Sequence, residues 1–372
     1  MLASGCGRLA FDAVPDVDAP PAPTSIAERV PCGTHILLDA GGHNAHDVIR
    51  WVNDASGDWV IGANHYSQDD HKIERHLVSE TPSGAVAGPA EFMVQADHVD
   101  VLAFEAVADG HVMGYTDFAL NTGHTVALGA GMAVGAQHDL GQLASGNPPL
   151  ARAGNGKLAM IGLVGGNLQV LGVFDDSAPT GVSINLATPA DGAGLPSMIT
   201  LPDGLAVVWH SAASGTCKLA TLAADLSLRA GPVDLAVAGC ADAHVAYLPA
   251  THRLIVVADD PANGAIVGAV WDEALAPIVL PRQLATTAHW VRIATADDDT
   301  AWITWAQSGA PQQVRYALLD ADANIALMGS PVGALDETLG HFHTIDRVAS
   351  TTVVMWTDTT QARTFSVERL CR

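Results

Sequence analysis

Seven short apolar stretches recur along this chain at nearly constant spacing. Each has the apolar pattern of a buried β-strand, and successive stretches begin 46 to 53 residues apart. They begin at Trp59, Val112, Leu158, Leu205, Leu254, Ala301 and Val353. A repeat of this length that contains several strands restricts the chain to an array of sheet units, because one such unit cannot bury its apolar face alone.

The fifth unit shows the content of one repeat most clearly. Between residues 243 and 285, four stretches of strand type are separated by turn-forming residues such as the Pro-Ala-Asn-Gly at 261–264. Four antiparallel strands in about 47 residues are typical of one blade of a β-propeller. The sequence therefore predicts an all-β fold, a seven-bladed β-propeller that spans residues 32–372.

The seventh unit supplies only three strands before the chain ends. The stretch His-Ile-Leu-Leu-Asp-Ala at 35–40 is available as the fourth strand. Because a closed ring leaves no open sheet edge, we expect this amino-terminal strand to complete the last blade in a "velcro" closure. Trp209, Trp305 and Trp356 end the second strands of their units, and we expect them to fill the space between adjacent sheets.

The charge balance of the chain restricts its partners. Acidic residues outnumber basic ones by 40 to 17, which gives a net charge of −23. Such a surface repels phosphate backbones, so nucleic acid is excluded as a partner. We expect a monomer whose partner is a protein, a glycan or a metal.

The first residues indicate export. The Leu-Ala-Ser-Gly-Cys at residues 2–6 resembles the lipobox of bacterial lipoproteins, and this resemblance implies that Cys6 is acylated. Residues 7–31 are rich in proline and have no strand pattern, as expected for an extended tether. We therefore divide the chain into a lipobox-like start and tether, 1–31, and the propeller, 32–372. The expected location is outside the cytoplasm: an outer-membrane lipoprotein, a periplasmic protein or an extracellular one.

Four cysteines remain when Cys6 is set aside, and an even number favours disulfides. Cys32 precedes the first strand and Cys371 ends the last, so ring closure would make them neighbours. Cys217 opens a third strand, and Cys240 lies in the following connection on the same face. We predict the bridges Cys32–Cys371 and Cys217–Cys240; the alternative is four reduced thiols in a cytosolic protein.

The repeats resemble a known kind of protein in architecture only. The strand pattern of residues 205–236 and 301–332 is similar to that of secreted bacterial seven-bladed propellers. Proteins of many functions share such repeats, so the resemblance implies a fold and no activity. The Trp-Asp pair that marks WD-repeat propellers occurs once, at Trp271 and Asp272, which does not support membership of that family.

One set of residues could carry chemistry. Five histidines open the innermost strands of five units, where they would form a partial ring around the axis, with His341, Asp47, Asp100 and Asp242 nearby. These five are His46, His98, His244, His289 and His343. Converging imidazoles with carboxylates suit a divalent transition metal. Some propeller enzymes, the pectate-fragment lyases, resemble this arrangement, and the resemblance implies a metal-assisted lyase reaction on a carbohydrate.

The alternative is structural. In WD-repeat propellers a histidine in the same connection acts as a peg that hydrogen-bonds within its blade. Acidic partners for such pegs follow the second strands, at Asp69, Asp70, Asp259, Asp260 and Asp358. The sequence therefore leaves three hypotheses about function open. The first is a non-catalytic envelope or secreted propeller that presents a binding face, the second is a metal-dependent carbohydrate lyase, and the third is a periplasmic metal-storage or metal-sensing protein.

Overall fold

The computed structural model describes 36–39, 48–63, 72–81, 84–89, 91–96, 99–117, 122–142, 150–153, 157–237, 239–296, 299–309, 312–329, 331–334, 343–348, 351–357 and 364–370. Within these residues the chain is almost entirely β-structure. Two single-turn 3-10 helices, Ala130–Met132 and Pro189–Asp191, interrupt the strands. No helix in this part of the chain has the length and apolar character needed to cross a membrane.

The described strands form seven antiparallel sheets of four or five strands each. Sheet I contains β2 (Val48–Asp54), β3 (Gly57–Ala63), β4 (Lys72–Thr81), β5 (Gly84–Ala87) and β6 (Glu91–Gln95). Sheet II contains β7 (Val99–Val107), β8 (Gly110–Asp117), β9 (Thr122–Gly129) and β10 (Ala133–Gln142). Sheet III contains β11 (Leu150–Arg152), β12 (Leu158–Val164), β13 (Asn167–Val173) and β14 (Pro179–Ala187).

The remaining four sheets follow in chain order, and the last also takes a strand from the start of the chain. Sheet IV contains β15 (Ala193–Leu201), β16 (Gly204–Ser211), β17 (Thr216–Ala223) and β18 (Leu228–Asp234). Sheet V contains β19 (Ala243–Leu248), β20 (Arg253–Asp260), β21 (Ala265–Asp272) and β22 (Pro277–Thr286). Sheet VI contains β23 (Ala288–Thr295), β24 (Ala301–Gln307), β25 (Gln313–Leu319), β26 (Ile325–Met328) and β27 (Gly333–Ala334). Sheet VII contains β28 (His343–Val348), β29 (Thr351–Thr357), β30 (Thr364–Leu370) and β1 (Ile36–Asp39).

The seven apolar stretches of the sequence all fall within second strands, β3, β8, β12, β16, β20, β24 and β29. The first strands contact one another in the cyclic order β2, β7, β11, β15, β19, β23, β28 and back to β2. These first strands are therefore innermost, and the sheets radiate from them as in a β-propeller. The chain has the all-β propeller fold that the repeat predicts. The amino-terminal strand β1 pairs with β30, with Ile36 opposite Val367.

Three of the hairpins between first and second strands have a glycine at the start of the second strand, Gly57, Gly110 and Gly204. Gly110 and Gly204 begin β8 and β16 with φ of 146° and 156°. A Cβ atom at Gly204 would lie 1.9 Å from the carbonyl oxygen of Leu222 on the neighbouring strand. Only glycine fits at this position of the hairpin between β15 and β16.

The core lies between adjacent sheets. Alternate residues of one strand face opposite neighbours: Trp305 packs in the layer between sheets V and VI, and Trp302 packs between sheets VI and VII. Trp209 and Trp356 are likewise fully buried, in the layers between sheets III and IV and between sheets VI and VII. The predicted role of Trp209, Trp305 and Trp356 as fillers between sheets is confirmed.

One of the two predicted disulfides lies within the described residues. Cys217 and Cys240 are bonded, with their Cα atoms 5.6 Å apart, and both side chains are fully buried. The bridge links β17 to the connection between sheets IV and V. Cys6, Cys32 and Cys371 lie outside the described residues, so the Cys32–Cys371 bridge and the acylation of Cys6 stay predictions.

Candidate functional site

The candidate site lies where the inner strands begin. We call this end of the ring the upper face; in the described residues it carries His244, His289 and His343 at the starts of β19, β23 and β28. Outer-to-inner connections and the turns between second and third strands also lie on this face, because neighbouring strands are antiparallel. The opposite end of the ring is the lower face.

A buried ion cluster occupies the upper face between sheets V and VI. Nη1 of Arg292 donates to Oδ2 of Asp242 at 2.6 Å and to Nε2 of His244 at 2.8 Å. Burial alone would raise the pKa of Asp242, but Arg292 and His244 hold it below its ordinary range. Burial, reinforced by the charge of Arg292, lowers the pKa of His244, although Asp242 opposes this effect. Nε2 of His244 also lies 3.1 Å from Oδ1 of Asp242, so one ring nitrogen contacts both members of the ion pair, and the lowered pKa favours the neutral ring.

Asp259 does not serve as the acidic partner of a histidine peg, which corrects the prediction from the sequence. Its carboxylate accepts hydrogen bonds from the backbone N–H groups of Trp290 and Val291, at 2.6 and 3.1 Å. The cause is a register shift in β23 between His289 and Arg292, where Trp290 has a φ of 54°. Because of this shift, the N–H groups of Trp290 and Val291 do not pair with the neighbouring strand, and the carboxylate of Asp259 accepts their hydrogen bonds instead. Burial and the nearby charge of Asp242 raise the pKa of Asp259 to about 6, although these backbone bonds lower it.

His289 and His343 have surroundings of their own. Nδ1 of His289 lies 3.2 Å from Oγ of Ser308, and its ring meets that of Trp290 edge-on at 4.0 Å between centroids. His343 is only 5% exposed, and burial followed by the charge of Arg292 lowers its pKa to about 3. A ring held neutral in this way can accept a hydrogen bond or bind a metal, but it cannot carry positive charge near pH 7.

The described histidines alone do not make the predicted metal site. Among the described residues, no three His, Cys, Asp or Glu side chains come together in a way that could hold a metal ion. His46 and His98 lie outside the described residues. The five-histidine metal ring is therefore still a prediction.

Further polar residues on inner strands were not singled out by sequence reasoning. Nε of Arg50 donates to the carbonyl of Leu102 at 2.8 Å and lies 3.9 Å from Oδ1 of Asp346, so Arg50 links sheets I, II and VII. Glu105 on β7 is half-buried, and burial raises its pKa to about 7 against the opposing charge of Arg152. A carboxyl group with a pKa near neutrality can give or take a proton under physiological conditions.

A second polar group lies on the lower face. The hydroxyl of Tyr247 donates to Oε1 of Glu273 at 2.7 Å, and Nδ1 of His252 lies 3.0 Å from the same oxygen. His252 has a φ of 54° in the turn after β19 and is mostly exposed. Burial and Glu273 raise the pKa of Tyr247 above its ordinary value. This group orients an exposed imidazole. Tyr247 and His252 belong to the β19–β20 hairpin, but Glu273 follows β21, so no local motif signals the group.

Comparison with known proteins shows the fold of the chain and does not show its family or its activity. No family model and no curated protein matches the chain. Among solved structures, the chain is similar to a protein of unknown function from Dyadobacter fermentans, at 9% identity over 92% of this chain and 99% of that chain, with a TM-score of 0.55. It is also similar to BBS1N in its complex with ARL6DN, at 9% identity over 94% of this chain and 98% of that chain, with a TM-score of 0.58. A third is a putative 6-phosphogluconolactonase from Bacteroides uniformis, at 12% identity, 83% and 94% coverage, and a TM-score of 0.53.

Proposed function

We propose that the chain is a non-catalytic, exported β-propeller that presents its upper face to a protein or glycan of the cell envelope. The observation that carries this proposal is the sharing of Arg292 between Asp242 and His244. Charged groups that bond one another in this way brace neighbouring sheets and are not free to polarise a substrate. One fold neighbour is described in a complex with ARL6DN, which is a precedent for protein binding by this architecture.

Architecture and location belong to the same proposal. The seven described sheets and the cyclic contacts of their inner strands support a ring of seven blades, and the pairing of β1 with β30 supports its closure by the amino-terminal strand. The Cys217–Cys240 bridge supports an oxidising compartment, because cytosolic thiols are kept reduced. Together with the lipobox-like residues 2–6, this favours a lipid anchor at Cys6 and a periplasmic, outer-membrane or extracellular location.

A second function has one observation in its favour. Glu105, with its pKa raised to about 7, lies on an inner strand and could act as a proton donor or acceptor. Glu105 lies two residues before the end of β7, at the lower end of this inner strand, whereas the predicted histidines lie at the upper end. A carbohydrate lyase that used Glu105 would therefore work toward the lower face, and its activity would depend on Glu105 rather than on a metal held by the histidines.

A binding experiment with a reaction assay separates these functions. The full chain with Cys6→Ser is tested on an array of envelope glycans, and is also incubated with polyuronates and Mn²⁺ or Zn²⁺ while the ultraviolet absorbance of unsaturated products is followed. We expect saturable glycan binding without product, and binding unchanged in Glu105→Gln. Unsaturated product that depends on added metal, or that disappears in Glu105→Gln, would overturn the proposal in favour of a lyase.

A matched pair of variants locates the binding surface. Ala262 and Ala250 are exposed turn residues at opposite ends of sheet V, on the upper and lower faces. Ala262→Arg is expected to weaken binding of the best array glycan about tenfold, because a long charged side chain blocks the face. Ala250→Arg should leave binding unchanged. The opposite pattern would place the partner on the lower face and contradict the proposal.

A further inference from the structure

A cavity of about 430 Å³ opens between sheets V and VI. It is lined by Leu284 and Thr286 of β22, Trp305 and Gln307 of β24, Arg315 of β25 and Met328 of β26. These residues lie near the end of β24 and the start of β25, which places the cavity toward the upper face. Its volume is in the range of small-ligand sites in proteins.

Arg315 is the unusual group in this wall. Its Nε atom is buried and has no hydrogen-bond partner in the described part of the chain, and Nη2 donates to Oε1 of Gln313 at 3.3 Å. Within the same residues no carboxylate lies within ion-pair distance of it, whereas Arg253 and Arg292 of these two sheets have carboxylates at 2.5 and 2.6 Å. Arg282 of β22 also has no ion pair there, but its Nη2 atom donates to the backbone carbonyl of Asp322. In a chain with 40 acidic and 17 basic residues, a guanidinium without a carboxylate is available to an anionic ligand.

The side chain of Gln307, a second polar group of the wall, is already occupied. The side-chain amide of Gln307 donates to the carbonyl oxygens of Thr286 and Thr287, both at 2.8 Å, and its oxygen accepts from Nε1 of Trp305 at 3.3 Å. These bonds tie sheet VI to sheet V and fix the floor of the cavity. Arg315 is therefore the wall's available charged donor.

Apolar side chains form the rest of the site. Met328, which is 45% exposed, lies in the wall together with Leu284 and Ala285. The indole of Trp305 is buried, so the cavity has no exposed aromatic ring on which a sugar could stack. This combination of one cation with aliphatic surface suits a ligand with an acid group and an apolar body.

We propose that this cavity binds a small monocarboxylate with an aliphatic or aromatic body, whose carboxylate accepts hydrogen bonds from Arg315. A planar carboxylate can accept two parallel N–H bonds from a guanidinium, and the apolar body would cover Leu284 and Met328. The inference goes beyond the proposed function, since the cavity can be filled whether or not a macromolecule binds the upper face.

The test uses octanoate and octanol as probes of the full chain with Cys6→Ser. Calorimetry measures affinity, and the ¹³C-labelled methyl group of Met328, assigned with Met328→Leu, reports occupancy of the cavity. We expect saturable octanoate binding that shifts the Met328 signal, and octanol binding at least about tenfold weaker, because a charge-assisted hydrogen bond contributes that much. Arg315→Met should weaken octanoate at least about tenfold as well.

Matched controls make each outcome decisive. Arg282→Met removes the same charge from β22 outside the cavity lining and should leave octanoate affinity unchanged. If Arg315→Met fails to fold, Gln283→Trp, at an exposed lining residue, should abolish the Met328 shift by filling the cavity. Octanoate binding that survives Arg315→Met, or no binding up to about 10 mM, would overturn the proposal.

Discussion

Replacing Arg292 with methionine is expected to lower the free energy of unfolding by about 3 kcal/mol, because it leaves the carboxylate of Asp242 buried without its cation. Asp242 is 6% exposed, and Arg292 approaches its Oδ2 at 2.6 Å. The loss lies at the lower end of the range for buried pairs, since 26% of the Arg292 side chain is exposed. Urea unfolding at neutral pH measures it.

Two comparisons test the cause of this loss. The double variant Asp242→Asn/Arg292→Met should recover a large part of the stability, because no buried charge then remains. Arg253→Met removes a guanidinium paired with the exposed Asp322 and should cost no more than about 1 kcal/mol. Equal losses for Arg292→Met and Arg253→Met would show that the upper-face cluster does not brace sheets V and VI.

Removing the Cys217–Cys240 bridge is expected to destabilise the fold by about 3.5 kcal/mol. The bridge spans 23 residues, and the stabilisation comes mainly from the loop entropy that it removes from the unfolded chain. Cys217→Ala/Cys240→Ala should therefore unfold at a lower urea concentration than the oxidised parent. Because both sulfurs are fully buried, the alanines also leave small voids that add to the loss.

Peptide mapping without reduction accompanies this measurement. It should yield one linked pair that contains Cys217 and Cys240, and a second that contains Cys32 and Cys371 if the proposed closure brings the two ends of the chain together. Free thiols at 217 and 240, with equal stability of the parent and the double variant, would contradict the prediction and remove the argument for export.

The repeat made the fold predictable because each second strand is buried on both faces. An apolar stretch such as the one that begins at Leu254 becomes β20, packed between two neighbouring sheets, and the glycines and turn residues around it set the hairpins. The pairing of Cys217 with Cys240 followed from the same map, because both connections reach one face. Local pattern was sufficient for these features.

The site was less predictable, because its contacts join residues from different sheets. Arg292 and Asp242 are about 50 residues apart in the sequence, and no sequence motif predicts that they form an ion pair. Asp259 was expected to hold a histidine, but the register shift at Trp290 gives it backbone donors instead. No sequence motif marks Glu105. Its pKa is raised by burial, and burial arises only when the chain folds.

The central claim is that the polar groups of the upper face hold one another and keep their histidines neutral. Long-range ¹H–¹⁵N spectra of the histidine rings, recorded from about pH 5 to about pH 8 with and without equimolar Zn²⁺, test it most directly. The account predicts that His343 stays neutral throughout, that the ring of His244 is neutral at neutral pH, and that zinc shifts neither ring. Stoichiometric zinc binding that moves the ring nitrogens of several upper-face histidines together would contradict it.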